Sequence, residues 1–191
     1  MIDMRLANSP KSNGKRVYVF YSRCPICGHG KMEVRETEYE LPRVGPTILV
    51  SRYCPACGFK RREIIPLIFK PRKRIYLRVE GQQDFRVKII RSNMASIEIP
   101  ELGVMINPGI DAPMYLTNVE GLLERIRDAV TSMHVLLEPD EARGIQVIMK
   151  VLDEAGNSVF TVIIDDVAGI SQVLETKGVL VLEEMVSGEL I

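Results

Sequence analysis

Cys24-Pro25-Ile26-Cys27-Gly28 and Cys54-Pro55-Ala56-Cys57-Gly58 are two copies of one pentapeptide, Cys-Pro-x-Cys-Gly, and between them they hold all four cysteines of the chain. Within each copy the two-residue gap lets both sulfurs face one point. The glycine that follows supplies a tight turn and leaves backbone N–H groups free to bond thiolates. Two such knuckles, each at the tip of a hairpin, assemble a tetrahedral four-sulfur shell that suits Zn2+. A closed shell of four thiolates leaves no position for water, so the zinc is structural. Four unrelated thiols, or a redox pair, would not require the whole pentapeptide to repeat. Twenty-six residues separate Cys27 from Cys54, more than in the usual ribbon spacing, and the excess predicts longer hairpin arms.

Outward from the knuckles, short apolar runs at Val17–Tyr21, Ile48–Tyr53 and Ile64–Phe69 read as strands, being rich in β-branched and aromatic residues. Residues 1–15, with Asn8-Ser9-Pro10-Lys11-Ser12-Asn13-Gly14, read as a flexible lead-in. The ribbon then occupies 16–70, and Lys70-Pro71-Arg72-Lys73-Arg74 reads as a linker into a second domain at 71–191. Charge divides at the same place. Residues 1–75 hold sixteen Lys or Arg against six Asp or Glu, and residues 76–191 hold nine against nineteen, so net charges of +10 and −10 cancel in the whole chain. A basic module attracts acidic surfaces or phosphates. Its candidate partner-binding residues are Lys60, Arg61, Arg62, Arg72, Lys73 and Arg74. Seven of the eleven aromatics (Tyr18, Phe20, Tyr21, Tyr39, Tyr53, Phe59 and Phe69) share the ribbon with them. Three readings stay open: a single-stranded nucleic-acid surface, an acidic-protein surface, or a small aromatic core beneath a solvated face.

The second domain alternates apolar and polar residues at Ile75–Glu80 and Ala95–Ile99, the period of half-buried strands. Phe85–Ile90, Leu102–Ile106, Val159–Ile164 and Val179–Leu182 are further strand candidates, and the close spacing predicts a sandwich or barrel. Thr117-Asn118-Val119-Glu120 reads as a capping box with Thr117 as the cap. After it Val119, Leu122, Leu123, Ile126, Val130 and Met133 share one helical face. Pro139 opens a second helix, with Ile145, Ile148, Met149 and Leu152 on its face and Gly156 at its end. The expectation is a helical hairpin at about 117–155.

No apolar run approaches the ~20 residues that span a bilayer, and the N-terminus lacks the layout of a signal peptide. Together with cysteines paired for metal, this predicts a cytoplasmic protein. His29 and His134 are the only histidines. A His-based catalytic metal site would dismantle the ribbon, and neither a nucleophile elbow nor a phosphate loop is present. His134 reads as a helix-border residue, and Asp165-Asp166 as structural, since neighbours on a strand face opposite ways. The expectation is a protein without catalytic activity.

In order along the chain, the two Cys-Pro-x-Cys-Gly knuckles are followed by Arg78-Val79-Glu80-Gly81, Ile90-Arg91-Ser92, Ile99-Pro100-Glu101-Leu102 and Asn107-Pro108-Gly109. Then come Thr117 with Val119-Glu120-Gly121-Leu122-Leu123, and Ile164-Asp165-Asp166 with Ala168-Gly169. This series resembles the ZPR-type zinc-finger proteins in a short, single-module, archaeal-like form, from Val17 to about Leu182. The pattern departs at Leu116, where the family usually has Thr, and at Val167 and Ile170, where it has Pro and Asn. The resemblance implies a zinc ribbon followed by a double-stranded β-helix, a jelly-roll-like barrel carrying the helical hairpin. It also implies binding to a translation elongation factor 1-alpha type GTPase and assistance in its folding. The charge and aromatics concentrated in the ribbon, and Met114, Met133 and Met149 with Gly121 and Gly144 in or near the hairpin, predict that these two would touch the GTPase while the barrel mainly orients them.

Overall fold

The computed structural model describes residues 16–134, 149–150, 153–154, 158–174 and 178–186. The chain folds as two units that meet in sequence at Phe69 and Lys70.

In the first unit β1 (Val17–Ser22), β2 (Met32–Leu41), β3 (Gly45–Tyr53) and β4 (Lys60–Pro66) form an antiparallel meander in sequence order. The first knuckle joins β1 to β2 and the second joins β3 to β4, so each zinc-binding pair sits at a hairpin tip. The long gap between the pairs is absorbed by the ten residues of β2 and the nine of β3, the longer arms that the spacing predicts. Pairwise register puts Phe20, Met32, Val34, Ile48 and Val50 on one face, where they pack against Cys24 and Cys54. The strand β2 was not legible as one, because Glu33, Arg35, Glu36, Glu38 and Glu40 dilute its apolar positions. The strand expected at Ile64–Phe69 instead begins at Lys60 and ends at Pro66. Leu67, Ile68 and Phe69 follow it as exposed residues.

The second unit pairs a five-stranded sheet, ordered β12-β5-β10-β7-β8, with a three-stranded sheet, β11-β6-β9. The first contains β5 (Lys73–Val79), β7 (Ala95–Ile99), β8 (Val104–Ile106), β10 (Phe160–Asp166) and β12 (Val181–Met185). The second contains β6 (Lys88–Arg91), β9 (Tyr115–Asn118) and β11 (Gln172–Leu174). Strict alternation along β5, β7 and β10 turns Ile75, Leu77, Val79, Ile97, Ile99, Phe160, Val162 and Ile164 inward. The helix α1 (Val119–His134) adds Val119, Leu122, Leu123 and Ile126 to the same core. These are four of the residues that its periodicity marks as one face. The protein is thus mainly β, a ribbon followed by a jelly roll.

Several local expectations change. The basic run 70–74 is not a free linker, since β5 starts at Lys73. Arg72 and Arg74 both bond the Asp165 carboxylate at 2.6–3.1 Å, and Lys73 lies 3.6 Å from Glu183. Paired in this way, the cations enter β5, which lies between β12 and β10, with their charge offset by carboxylates. Phe85 lies in a 3-10 turn (Gln82–Arg86), with its ring edge-on to Phe160 at 6.2 Å. Thr117 lies within β9, and the helix cap is Asn118, the last residue of that strand, whose Oδ1 accepts the Gly121 N–H at 2.8 Å. A Cβ at Gly121 would lie 2.6 Å from Thr117 Oγ1, which accounts for a glycine in the first turn. Apart from residues 149–150 and 153–154, the second helix expected beyond Pro139 lies outside the described residues. Among these, no helix is long and apolar enough to cross a membrane.

The guanidinium groups around Asp165, Arg72 first, hold its carboxyl below the usual range against the cost of desolvation. A depressed folded-state pKa stabilises above the unfolded value of about 4 and is lost as pH falls through the folded value. Asp165→Asn should therefore lower stability at neutral pH, and its acid-unfolding curve should converge on that of the wild type as pH falls through the depressed folded-state value. Chemical denaturation at a series of pH values reads this directly. Curves that stay parallel into acid would remove the linkage.

Candidate metal centre and basic ribbon face

Each knuckle is built by the same two backbone bonds. Cys24 N–H donates to His29 O and Gly28 N–H to Cys24 O, at 2.8 and 2.9 Å. Cys54 N–H donates to Phe59 O and Gly58 N–H to Cys54 O, both at 2.9 Å. The turn requires a left-handed residue, and Gly28 and Gly58 supply it at φ 73° and 74°. His29 thus contributes its carbonyl to the turn, and the sulfur set is complete without it.

All four sulfurs lie within 4.8 Å of one another. The Cys24–Cys57 and Cys27–Cys54 pairs are each 3.7 Å apart. A tetrahedral zinc with Zn–S bonds of about 2.3 Å places its ligands about 3.8 Å from each other. The donor set and the spacing therefore fit zinc, with Cys24 and Cys54 buried and Cys27 and Cys57 exposed. The four thiols also influence one another. Desolvation opposes ionisation of Cys24, but the backbone N–H groups of Cys27 and Ile26 and the thiols of Cys54 and Cys57 outweigh it, bringing it to about 7. At Cys57 the Phe59 N–H favours the thiolate, yet desolvation and hydrogen bonds with the other three thiols push it up to about 12. Such a cluster ionises fully only around a cation. Zinc supplies the charge that holds four thiolates together, and the knuckle amides orient them.

The second feature is the sheet face away from the ribbon core. Cross-strand register aligns Tyr21, Glu33, Tyr53 and Lys60 in one row, and Val19, Arg35, Ser51 and Arg62 in the next. Tyr21 and Tyr53 are exposed, and Lys60 Nζ stands 5.5 Å from the Tyr53 ring centroid. Neither Lys60 nor Arg62 meets a carboxylate among the described residues. Arg61 lies on the other face, where Glu63 binds both it, at 2.9 Å, and Arg52.

The structure thus divides the six predicted basic residues. Lys60 and Arg62 share the uncovered ribbon face, Arg61 is tied to Glu63, and Arg72, Lys73 and Arg74 are engaged with Asp165 and Glu183. Sequence reasoning missed this division. Its signal was the alternation of Lys60 and Arg62 with Arg61 and Glu63 along one strand. The structural carboxylates behave as the strand period requires: Asp165 takes the arginines, and Asp166 faces inward, fully buried.

A family model for the ZPR1 jelly-roll domain matches residues 83–183. A ZPR1-like protein of Methanocaldococcus jannaschii is 33% identical over 171 residues, which cover 87% of this chain and 84% of that protein. A ZPR1-like protein of Pyrococcus horikoshii is 29% identical, with 81% and 72% covered. The zinc finger chaperone zpr1 of Schizosaccharomyces pombe is 30% identical over 84% of this chain, and the match spans 36% of that longer protein. With its four-cysteine zinc ribbon and its jelly roll, the chain belongs to the ZPR1 family, in the short form it shares with these archaeal proteins.

Proposed function

We propose that this protein is a non-enzymatic, cytoplasmic, zinc-dependent binding module that docks on a translation elongation factor 1-alpha type GTPase and assists its folding. One observation carries the reading: the uncovered ribbon face, with exposed Tyr21 and Tyr53 beside two cations free of carboxylates. Aromatic rings supply contact area at low entropic cost, and unpaired cations steer an acidic partner into place. The chaperone name of the fission-yeast relative points the same way. The helical hairpin expected at about 117–155, of which the first helix is α1, is a further candidate contact.

The double change Lys60→Glu and Arg62→Glu should slow association with the purified GTPase about tenfold and flatten its salt dependence. Stopped-flow association at several ionic strengths tests this. Unchanged rates would exclude this face as the docking site.

The alternative is a nucleic-acid-binding ribbon, favoured by the Tyr53–Lys60 pair, since a ring beside a cation also suits a stacked base. Phosphate binding would fall steeply with salt through counterion release. Submicromolar affinity for a defined oligonucleotide at physiological salt would favour this alternative.

A further inference from the structure

The outer face of the five-stranded sheet carries a second, different surface. Register aligns Leu182, Tyr76, Ile163, Glu98 and Met105 in one row across β12, β5, β10, β7 and β8. The ends of the row are open, Leu182 at 59% and Met105 at 64% exposure, and the three residues between them are half-buried. Four inter-strand gaps make the row about 19 Å long, the length of about six extended residues.

Polar groups border the row, and the cations among them are already satisfied. On one side Asp165 binds Arg72 and Arg74, and Glu184 accepts the Tyr76 hydroxyl at 2.8 Å. On the other, Glu101 binds Arg78 and accepts the Thr161 hydroxyl. Glu98 differs, having no hydrogen-bond or ion-pair partner among the described residues. It lies in a depression of about 310 Å3 with Tyr76, Ile163 and Met105. An apolar row with one uncompensated carboxylate is complementary to an apolar strand carrying one cation.

We infer that this row is a docking track for an extended, apolar segment of a partly folded protein, with one Lys or Arg of that segment paired to Glu98. The inference deepens the folding-assistance reading and rests on it. It gives the barrel a client contact of its own, beyond the mainly orienting role that the sequence predicts for it. The second unit, Lys70–Ile191, carries thirteen cations against nineteen anions, and this net charge of −6 steers basic segments toward it.

The test uses the full zinc-loaded chain and two labelled unfolded probes, reduced and carbamidomethylated lysozyme, which is basic, and α-lactalbumin treated alike, which is acidic. Fluorescence anisotropy should show the basic probe bound at least tenfold more tightly. Leu182→Ser with Met105→Ser should raise its Kd at least tenfold without changing Tm, and Glu98→Gln should erase the preference between probes. Lys60→Glu with Arg62→Glu should leave probe binding unaltered, and a wild-type chain that binds the probes but not the purified GTPase would sink the docking reading alone. Equal affinity of the Leu182/Met105 variant and the wild type overturns the track. So does a wild-type dimer in sedimentation that this variant converts to monomer, because the occupant would then be a second copy.

Discussion

Replacing Cys27 with serine is expected to unfold the ribbon, residues 16–69, while the jelly roll stays folded. Serine is a poor zinc ligand, and three thiolates cannot close the tetrahedron that the two knuckles present. Structural zinc contributes on the order of 10 kcal/mol or more to modules of this size. Little else is available to replace it. Among the described residues, the ribbon's core cluster has, besides Cys24 and Cys54, only Met32, Val34 and Val50 fully buried, with Phe20, Ile48 and Phe59 partly so. The opposite sheet face is exposed at Tyr21, Arg35, Tyr53, Lys60 and Arg62, and among the described residues it buries only Thr47 and Pro66 at its far end. The jelly roll, by contrast, buries eighteen residues in one cluster, none of them a cysteine. Heteronuclear NMR of the variant should therefore lose the dispersed amide signals of residues 16–69 and retain those of β5 to β12. Metal analysis should fall from one zinc per chain to none, and a strong chelator should reproduce the spectrum in the wild type. A zinc-free protein whose ribbon amides remain dispersed would show that the strands stand without the metal.

Legibility in the sequence followed how local each signal is. The metal site was fully legible, because its chemistry is confined to two pentapeptides whose glycines and cysteines occupy fixed turn positions. Strands β5, β7 and β10 were legible because burial on one face enforces a period of two. The strand β2 was not, since its charged residues line a long arm with few buried positions. Without β2 the faces of the ribbon sheet could not be assigned, so Lys60-Arg61-Arg62 read as one cluster. Strand alternation splits it, and long-range partners decide the rest. Asp165 lies 93 residues from Arg72 and Glu183 lies 110 residues from Lys73. Nothing local in Arg72-Lys73-Arg74 announces that its charge is already spoken for. The cap of α1 falls on Asn118 and not Thr117, because the helix starts at Val119 and the Asn118 side chain is the one that reaches the N–H three residues on, at Gly121.

Asp166→Ala is expected to destabilise the jelly roll by about 3–5 kcal/mol, the cost of breaking a buried charged network by removing one member. The Asp166 carboxylate is fully buried. Its Oδ1 accepts the Ser92 hydroxyl at 2.6 Å and the Ala168 N–H at 2.9 Å. Its Oδ2 accepts the N–H groups of Ile170 and Ser171 at 2.8 and 2.6 Å. Alanine would orphan three amides and a hydroxyl, each of which costs about 1–3 kcal/mol when left buried and unpaired. The loop these bonds hold is also pinned from outside. Gly169 sits at φ 66°, where a Cβ would lie 2.2 Å from Pro71 O, and Lys70 N–H donates to Ala168 O at 2.9 Å. Releasing the loop therefore loosens the entry to β5 as well. At Val167 and Ile170, where the family usually has Pro and Asn, the network asks only for the backbone N–H of Ile170, so the side-chain departures are harmless to it. Asparagine at 166 should rescue little, because in either orientation its NH2 would face a backbone N–H, that of Ala168 or those of Ile170 and Ser171. Asp165→Asn, one residue away on the solvent face, should cost much less, since its arginine partners remain hydrated. Thermal denaturation of the zinc-loaded chain should show Tm lowered by roughly 10–20 °C for Asp166→Ala, nearly as much for Asp166→Asn, and a few degrees for Asp165→Asn. A Tm within about 3 °C of wild type for Asp166→Ala would mean that the loop is held by packing and not by this carboxylate.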